Sequence, residues 1–262
     1  MSTAPHTWPR LFIKEALGQE TKIALSIEHT HYLLHVMRIR EGDSVRLFNG
    51  RDGEWRATIA VAPIRKKDPV ILLVGESLRP QETEPDLWLC CAPIKRAPFE
   101  YMIQKATELG VSVVQPILTT RTQVRDFNLQ RLQAIAIEAA EQSERLSIPE
   151  IREPLSLDAL IKNWPTKRLP VLCAEFGEAL PVAQGLSSAL AQARPMAAII
   201  TGPEGGFRQE EIAQLRALPE SLCLRLGPRI LRADTAALAA LTCWQALCGD
   251  WKNKTETRLP LL

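Results

Sequence analysis

Twice near its C-terminus the chain runs from a short apolar stretch into a glycine-proline turn and on into a helical pattern. The first run is Ile199-Ile200-Thr201-Gly202-Pro203-Glu204-Gly205-Gly206-Phe207, the second Leu226-Gly227-Pro228-Arg229-Ile230-Leu231-Arg232-Ala233-Asp234-Thr235-Ala236-Ala237. Strand, turn and helix in that order place both turns at strand carboxyl ends, where open α/β sheets hold ligands. Gly202, Gly205, Gly206 and Gly227 leave backbone groups uncovered, and Pro203 and Pro228 stiffen each turn and push the preceding glycine out of the α region. Such turns are predicted to close on one small, flat, polar ligand. Neither contains G-x-x-x-x-G-K-[ST] or G-x-G-x-x-G, so a phosphate-cradling or dinucleotide site is disfavoured, and a dehydrogenase with it.

The rest of the chain reads as two domains, 1–80 and 81–262. Ser44 to Phe48, Glu54 to Val61 and Val70 to Glu76 are strand-like runs broken by turn residues, with one helical piece at His31 to Ile39. A small barrel closes such strands without leaving exposed edges. The polar stretch Arg79 to Asp86, with two prolines and no periodicity, reads as the linker. Beyond it, Leu87 to Ala92, Val111 to Leu118, Leu169 to Ala174, Met196 to Thr201 and Leu222 to Leu226 are predicted buried strands alternating with helical patterns. The fold class is therefore α/β, a mostly parallel sheet with helices on both faces. The last helix, Thr235 to Leu247, is apolar on nearly all sides, which predicts burial in an oligomer interface as well as in the fold. No run approaches a membrane span, and the N-terminus lacks the pattern of a signal peptide, so the expected location is cytoplasmic. The six cysteines show no C-x-x-C pair and read as core residues rather than disulfides or metal ligands. Residues 1–80 carry 12 Lys/Arg against 9 Asp/Glu, an excess compatible with nucleic acid without arguing for it alone.

At the two turns the chain resembles the ribosomal RNA small subunit methyltransferase E family of the SPOUT superfamily. The resemblance extends to Gln104-Lys105-Ala106-Thr107-Glu108-Leu109-Gly110-Val111 and to Glu138-Ala139-Ala140-Glu141-Gln142-Ser143-Glu144-Arg145 with Ile148-Pro149-Glu150-Ile151. It includes His31-Tyr32-Leu33-Leu34-His35-Val36-Met37-Arg38 with Gly42-Asp43 and Phe48-Asn49-Gly50. The four blocks stand in one order along most of the chain. Asp234, where members often carry Glu, and Pro98, where a basic residue is often found, depart from the pattern.

The resemblance implies a PUA-like RNA-binding barrel followed by a methyltransferase domain whose C-terminal segment forms a trefoil knot. It also implies a homodimer, S-adenosylmethionine as methyl donor, no metal, and N3 of a uridine in 16S ribosomal RNA of the small subunit as acceptor. On that reading Thr201, Gly202, Pro203, Gly205, Gly206, Leu226, Gly227, Ile230, Leu231, Thr235 and Ala236 hold the donor. Arg232 stabilises charge on the uridine, with Glu204 and Asp234 as the carboxylates available to take the N3 proton. Arg10, Arg38, Arg145 and Arg229 are the expected RNA contacts, Arg145 by continuing the helix face of Glu138 and Gln142. Lys66 and Lys67 add to the basic set. Two alternatives stand beside this reading: an RNA-binding protein that keeps the fold without catalysis, and methylation at another RNA position.

Overall fold

The computed structural model describes residues 5–61, 68–174, 178–191 and 196–252; Lys66, Lys67 and the tail beyond 252 lie outside the described residues. The chain divides between Thr83 and Glu84 into two compact units, and residues 144–147 group with the first.

In the first unit, β1 (Arg10–Phe12), β2 (Lys22–Ala24), β3 (Ser44–Phe48), β4 (Glu54–Val61) and β5 (Ile71–Arg79) form one curled sheet of order β1-β3-β4-β5-β2. It is antiparallel apart from the β1–β3 pair. Alternate residues Val45 and Leu47, Ala57 and Ile59, and Leu72 and Val74 enter a single core, the period-two pattern of a strand with one buried face. Arg79, read as linker, instead ends β5. Gly53 is fixed by crowding as well as by its φ of 82°, since a Cβ there would lie 2.3 Å from the Arg79 carbonyl oxygen.

The helix predicted at His31 to Ile39 starts earlier. In α1 (Ile27–His31) Ser26 accepts the His29 amide, and the chain continues through a π-type turn at Tyr32–Val36 to Arg38, whose φ of 55° stops it.

Arg10 is only 7% exposed, which corrects its expected place on an RNA-binding surface. Its guanidinium pairs with Glu54, itself wholly buried, and donates to the Arg145 carbonyl at 2.5 Å. Arg79 reaches the same carboxylate at 3.0 Å, and Arg46 bonds Glu144 at 2.8 Å. Burial lowers Arg10 to about 10, still protonated at neutral pH.

In the second unit, β6 (Leu87–Cys91), β7 (Val113–Leu118), β8 (Glu150–Ile151), β10 (Leu169–Cys173), β11 (Leu180–Pro181), β12 (Ala197–Thr201) and β13 (Leu222–Arg225) form a parallel sheet. Their order is β11-β13-β10-β12-β6-β7-β8, and the short β9 (Leu155–Ser156) also pairs with β7. Side chains alternate between two cores. Leu89, Val171 and Ile199 face α2 (Arg96–Glu108), α3 (Leu129–Gln142), α5 (Val182–Ala191) and α7 (Ala233–Leu247). Cys90, Leu172 and Ile200 face α4 (Leu157–Lys162) and α6 (Gln209–Arg216). Because both faces are buried, each central strand reads as a continuous apolar run. The second unit is thus a parallel α/β sheet with helices on both faces, and it follows a curled five-stranded sheet.

α3 stops at Gln142, with the Ser143 amide and hydroxyl both donating to the Ala139 carbonyl and Glu144 at φ 61°. Arg145 therefore does not continue the face of Glu138 and Gln142. It is 9% exposed, and its guanidinium donates to the Ser147 hydroxyl.

Candidate active site

β6, β7, β10, β12 and β13 run parallel, so their carboxyl ends share one edge of the sheet. A cleft of about 1190 Å³ opens there. Both glycine-proline turns line it, joined by the ends of β10 and the starts of α2, α6 and α7.

The first turn leaves the sheet at Thr201, which is 2% exposed and whose carbonyl is taken by the Ala92 amide. Only the chain beyond Thr201 is free of the ladder. Gly206, at φ 67°, closes a tight turn by donating to the Pro203 carbonyl at 2.9 Å. The Phe207 ring lies over Gly202, where a Cβ would come within 3.1 Å of it. Arg121 donates to the Gly205 carbonyl at 2.7 Å.

The second turn is set by conformation rather than crowding. Gly227 has φ 115° and nothing within 4 Å of a would-be Cβ, so its glycine answers to backbone geometry and leaves open space beside it. Among the described residues no hydrogen-bond partner holds the amides of Gly227, Arg229, Ile230 or Leu231. Ile230 is 77% exposed at the cleft, an apolar lip beside half-buried Leu226 and Leu231.

Thr201, Gly202, Pro203, Glu204, Gly205 and Gly206 from the first turn therefore meet Leu226, Gly227, Arg229, Ile230, Leu231 and Arg232 from the second, with Asp234 and Ala236 from α7. Thr235 is not part of that wall; its amide donates to Asp234 Oδ1 at 2.9 Å. Arg38 is exposed on the first unit, whereas Arg10 and Arg145 are buried.

Cationic side chains outnumber carboxylates around the cleft: Lys95, Arg121, Arg225, Arg229 and Arg232 against Glu204 and Asp234. Among the described residues Arg232 forms no ion pair, and Asp234 sits in the first turn of α7, where the helix N-terminus favours negative charge. Cys173 also lines the cleft, but burial pushes its thiol up to about 12, so it is protonated at neutral pH and is no nucleophile. Arg121, Gln123, Lys95 and Arg225 went unnoticed in the sequence. Applying the strand-end rule to β6, β7 and β13 as well as to the two turns would have found them.

Residues 81–245 match the family model of the RNA methyltransferase domain, and residues 28–67 match that of the RNA methyltransferase PUA domain. The chain is 34% identical over 233 residues to a ribosomal RNA small subunit methyltransferase E of Rickettsia conorii, covering 88% of this chain and 93% of the relative. Among solved structures it is similar to a protein from Legionella pneumophila in complex with the bound cofactor SAM. That match has 31% identity and a TM-score of 0.78, with 91% of this chain and 97% of the other covered. It is also similar to a ribosomal RNA small subunit methyltransferase E from Neisseria gonorrhoeae bound to S-adenosyl methionine. There the identity is 26% and the TM-score 0.81, with 93% of this chain and 99% of the other covered.

Proposed function

The chain belongs to the ribosomal RNA small subunit methyltransferase E family, and on that premise we propose that it methylates N3 of a uridine in 16S ribosomal RNA. It is an S-adenosylmethionine-dependent RNA methyltransferase. The observation that carries this reading is the meeting of two rigid glycine-proline turns at one cationic cleft.

The residues present fit the donor. Open space beside Gly227 admits a flat ring close to the main chain, and Leu226, Ile230 and Leu231 supply apolar walls. The volume of about 1190 Å³ exceeds the roughly 300–1,000 Å³ usual for one small ligand, which leaves room for a nucleoside beside it. Bound there, S-adenosylmethionine supplies an activated methyl group, so the protein's tasks are alignment and charge control.

Uridine N3 must give up its proton before or during its attack on the methyl carbon, whose bond to sulfur would break to release S-adenosylhomocysteine. Until the new bond is complete, the negative charge on the ring is shared with O2 and O4. Arg232 stabilises that charge, and Glu204 or Asp234 takes the proton. N3 is engaged in a normal base pair, so the target uridine is unpaired or flipped out. Arg229 contacts phosphate or base beside the cleft, and Arg38 contacts phosphate from the PUA-like unit. The active form is a homodimer in the cytoplasm, with the C-terminal segment threaded as a trefoil knot.

Incubating the protein with labelled donor and small subunits lacking the modification tests this reading. The expected result is label on one uridine, located at N3 by mass spectrometry of the digested RNA. Donor binding without methyl transfer would instead support an RNA-binding protein that keeps the fold, and a product methylated elsewhere would move the acceptor position.

A further inference from the structure

Glu211 is buried at 7% exposure in the first turn of α6, immediately beyond the first glycine-proline turn. One oxygen, Oε1, accepts both the Thr120 amide at 2.7 Å and the Thr120 hydroxyl at 2.9 Å. The other, Oε2, accepts the Arg208 amide at 2.7 Å. One carboxylate thus joins two segments 91 residues apart in sequence, of which only α6 is its own.

Both segments border the cleft. Arg208 is the residue at which the turn passes into α6, and Thr120 directly precedes Arg121, which holds the Gly205 carbonyl. The Thr120 side is itself braced: the Thr119 amide donates to the Thr122 hydroxyl at 2.9 Å, and the Thr122 amide returns to the Thr119 carbonyl at 3.2 Å. The turn is anchored upstream by the β12 ladder at Thr201. Between that anchor and Arg208 stand three glycines, whose backbone freedom is costly to fix unless both ends are held.

We propose that Glu211 is a positioning residue for methyl transfer, holding the downstream end of the first turn against the Thr119–Thr122 loop so that its backbone is already set for the donor. The inference rests on the functional reading above, in which that turn binds S-adenosylmethionine. Glu211 does not line the cleft, so it acts through Arg208 and Arg121 rather than by touching the ligand. A glutamine at this position would turn an NH2 group toward one set of donors and lose the charge that strengthens all three bonds.

The test compares Glu211→Gln with Thr120→Val and, as control, Glu210→Gln, whose side chain is exposed beside it. Steady-state kinetics on the full-length protein should show Glu211→Gln raising the donor KM by about tenfold or more, with the RNA KM and the kcat at saturating donor within about threefold. Thr120→Val should move the donor KM the same way by about two- to threefold, and Glu210→Gln should leave it unchanged. Calorimetry with S-adenosylhomocysteine should give matching losses of affinity. A purely structural role would shrink the active fraction, lowering kcat with both KM values unmoved, and that pattern would overturn the proposal. If Glu211→Gln does not fold, an unchanged donor KM in Thr120→Val overturns it instead. Wild-type protein that binds no S-adenosylhomocysteine would sink the functional reading itself, whereas equal binding by wild type and Glu211→Gln would sink only this inference.

Discussion

Arginines that look alike in the sequence have opposite fates in the structure. Arg232 is exposed at the N-cap of α7, lines the cleft and has no ion pair among the described residues, so its charge is available to a substrate. Arg232→Ala is expected to lower kcat by about 10²- to 10³-fold while leaving the donor KM within about threefold, as measured by single-turnover and steady-state assays. Arg10, by contrast, is committed to Glu54. Replacing Glu54 by Ala leaves Arg10, Arg46 and Arg79 crowded without their shared carboxylate and is expected to cost about 3–5 kcal/mol in a denaturant melt. Nothing local distinguishes Arg10 from Arg38, because the partner that buries Arg10 stands 44 residues away. Charge was legible in the sequence; its destination was not.

Strands of the α/β sheet were legible because both faces are buried, which turns each into an unbroken apolar run such as Ala197–Thr201. Strands of two or three residues, such as β1, β8 and β11, were not, since pairing rather than composition decides them. The end of α3 was misread because Glu144, not a glycine, adopts the left-handed conformation there. The two turns were legible from glycine and proline alone, but the brace between Thr120 and α6 joins distant segments and leaves no local pattern. That brace also responds to pH. Burial by itself would raise the Glu211 carboxyl, yet hydrogen bonds from the Arg208 amide and from the Thr120 amide and hydroxyl, with the Arg208 charge, hold it below its ordinary value of 4.5. A carboxyl lowered by folding stabilises the folded state fully above its ordinary value and loses that contribution as pH falls through the depressed one. Thermal melts should therefore show Glu211→Gln less stable than wild type by about 1–3 kcal/mol at neutral pH. The gap should narrow only below pH 4.5. A gap that widens in acid would contradict this account.

A net charge of only +2 is no sign of a nucleic-acid partner, yet five cations gather around one cleft. RNA affinity should therefore fall with salt, by about 0.7 log unit per log unit of salt for each single-strand phosphate contacted. Arg38→Gln and Arg229→Gln should each flatten that slope by about one contact in filter-binding titrations, and an unchanged slope would remove the residue from the interface. Sedimentation of the whole chain would report the expected dimer directly. One further property follows from the strand order. Because β10 stands between β12 and β13, the two turns spring from strands two ladder spacings apart, about 9.6 Å. The jaws of the cleft are thus gauged by main-chain pairing, which is indifferent to side chains. Exchanging residues in either jaw can alter what is gripped, while the gape stays as the sheet sets it.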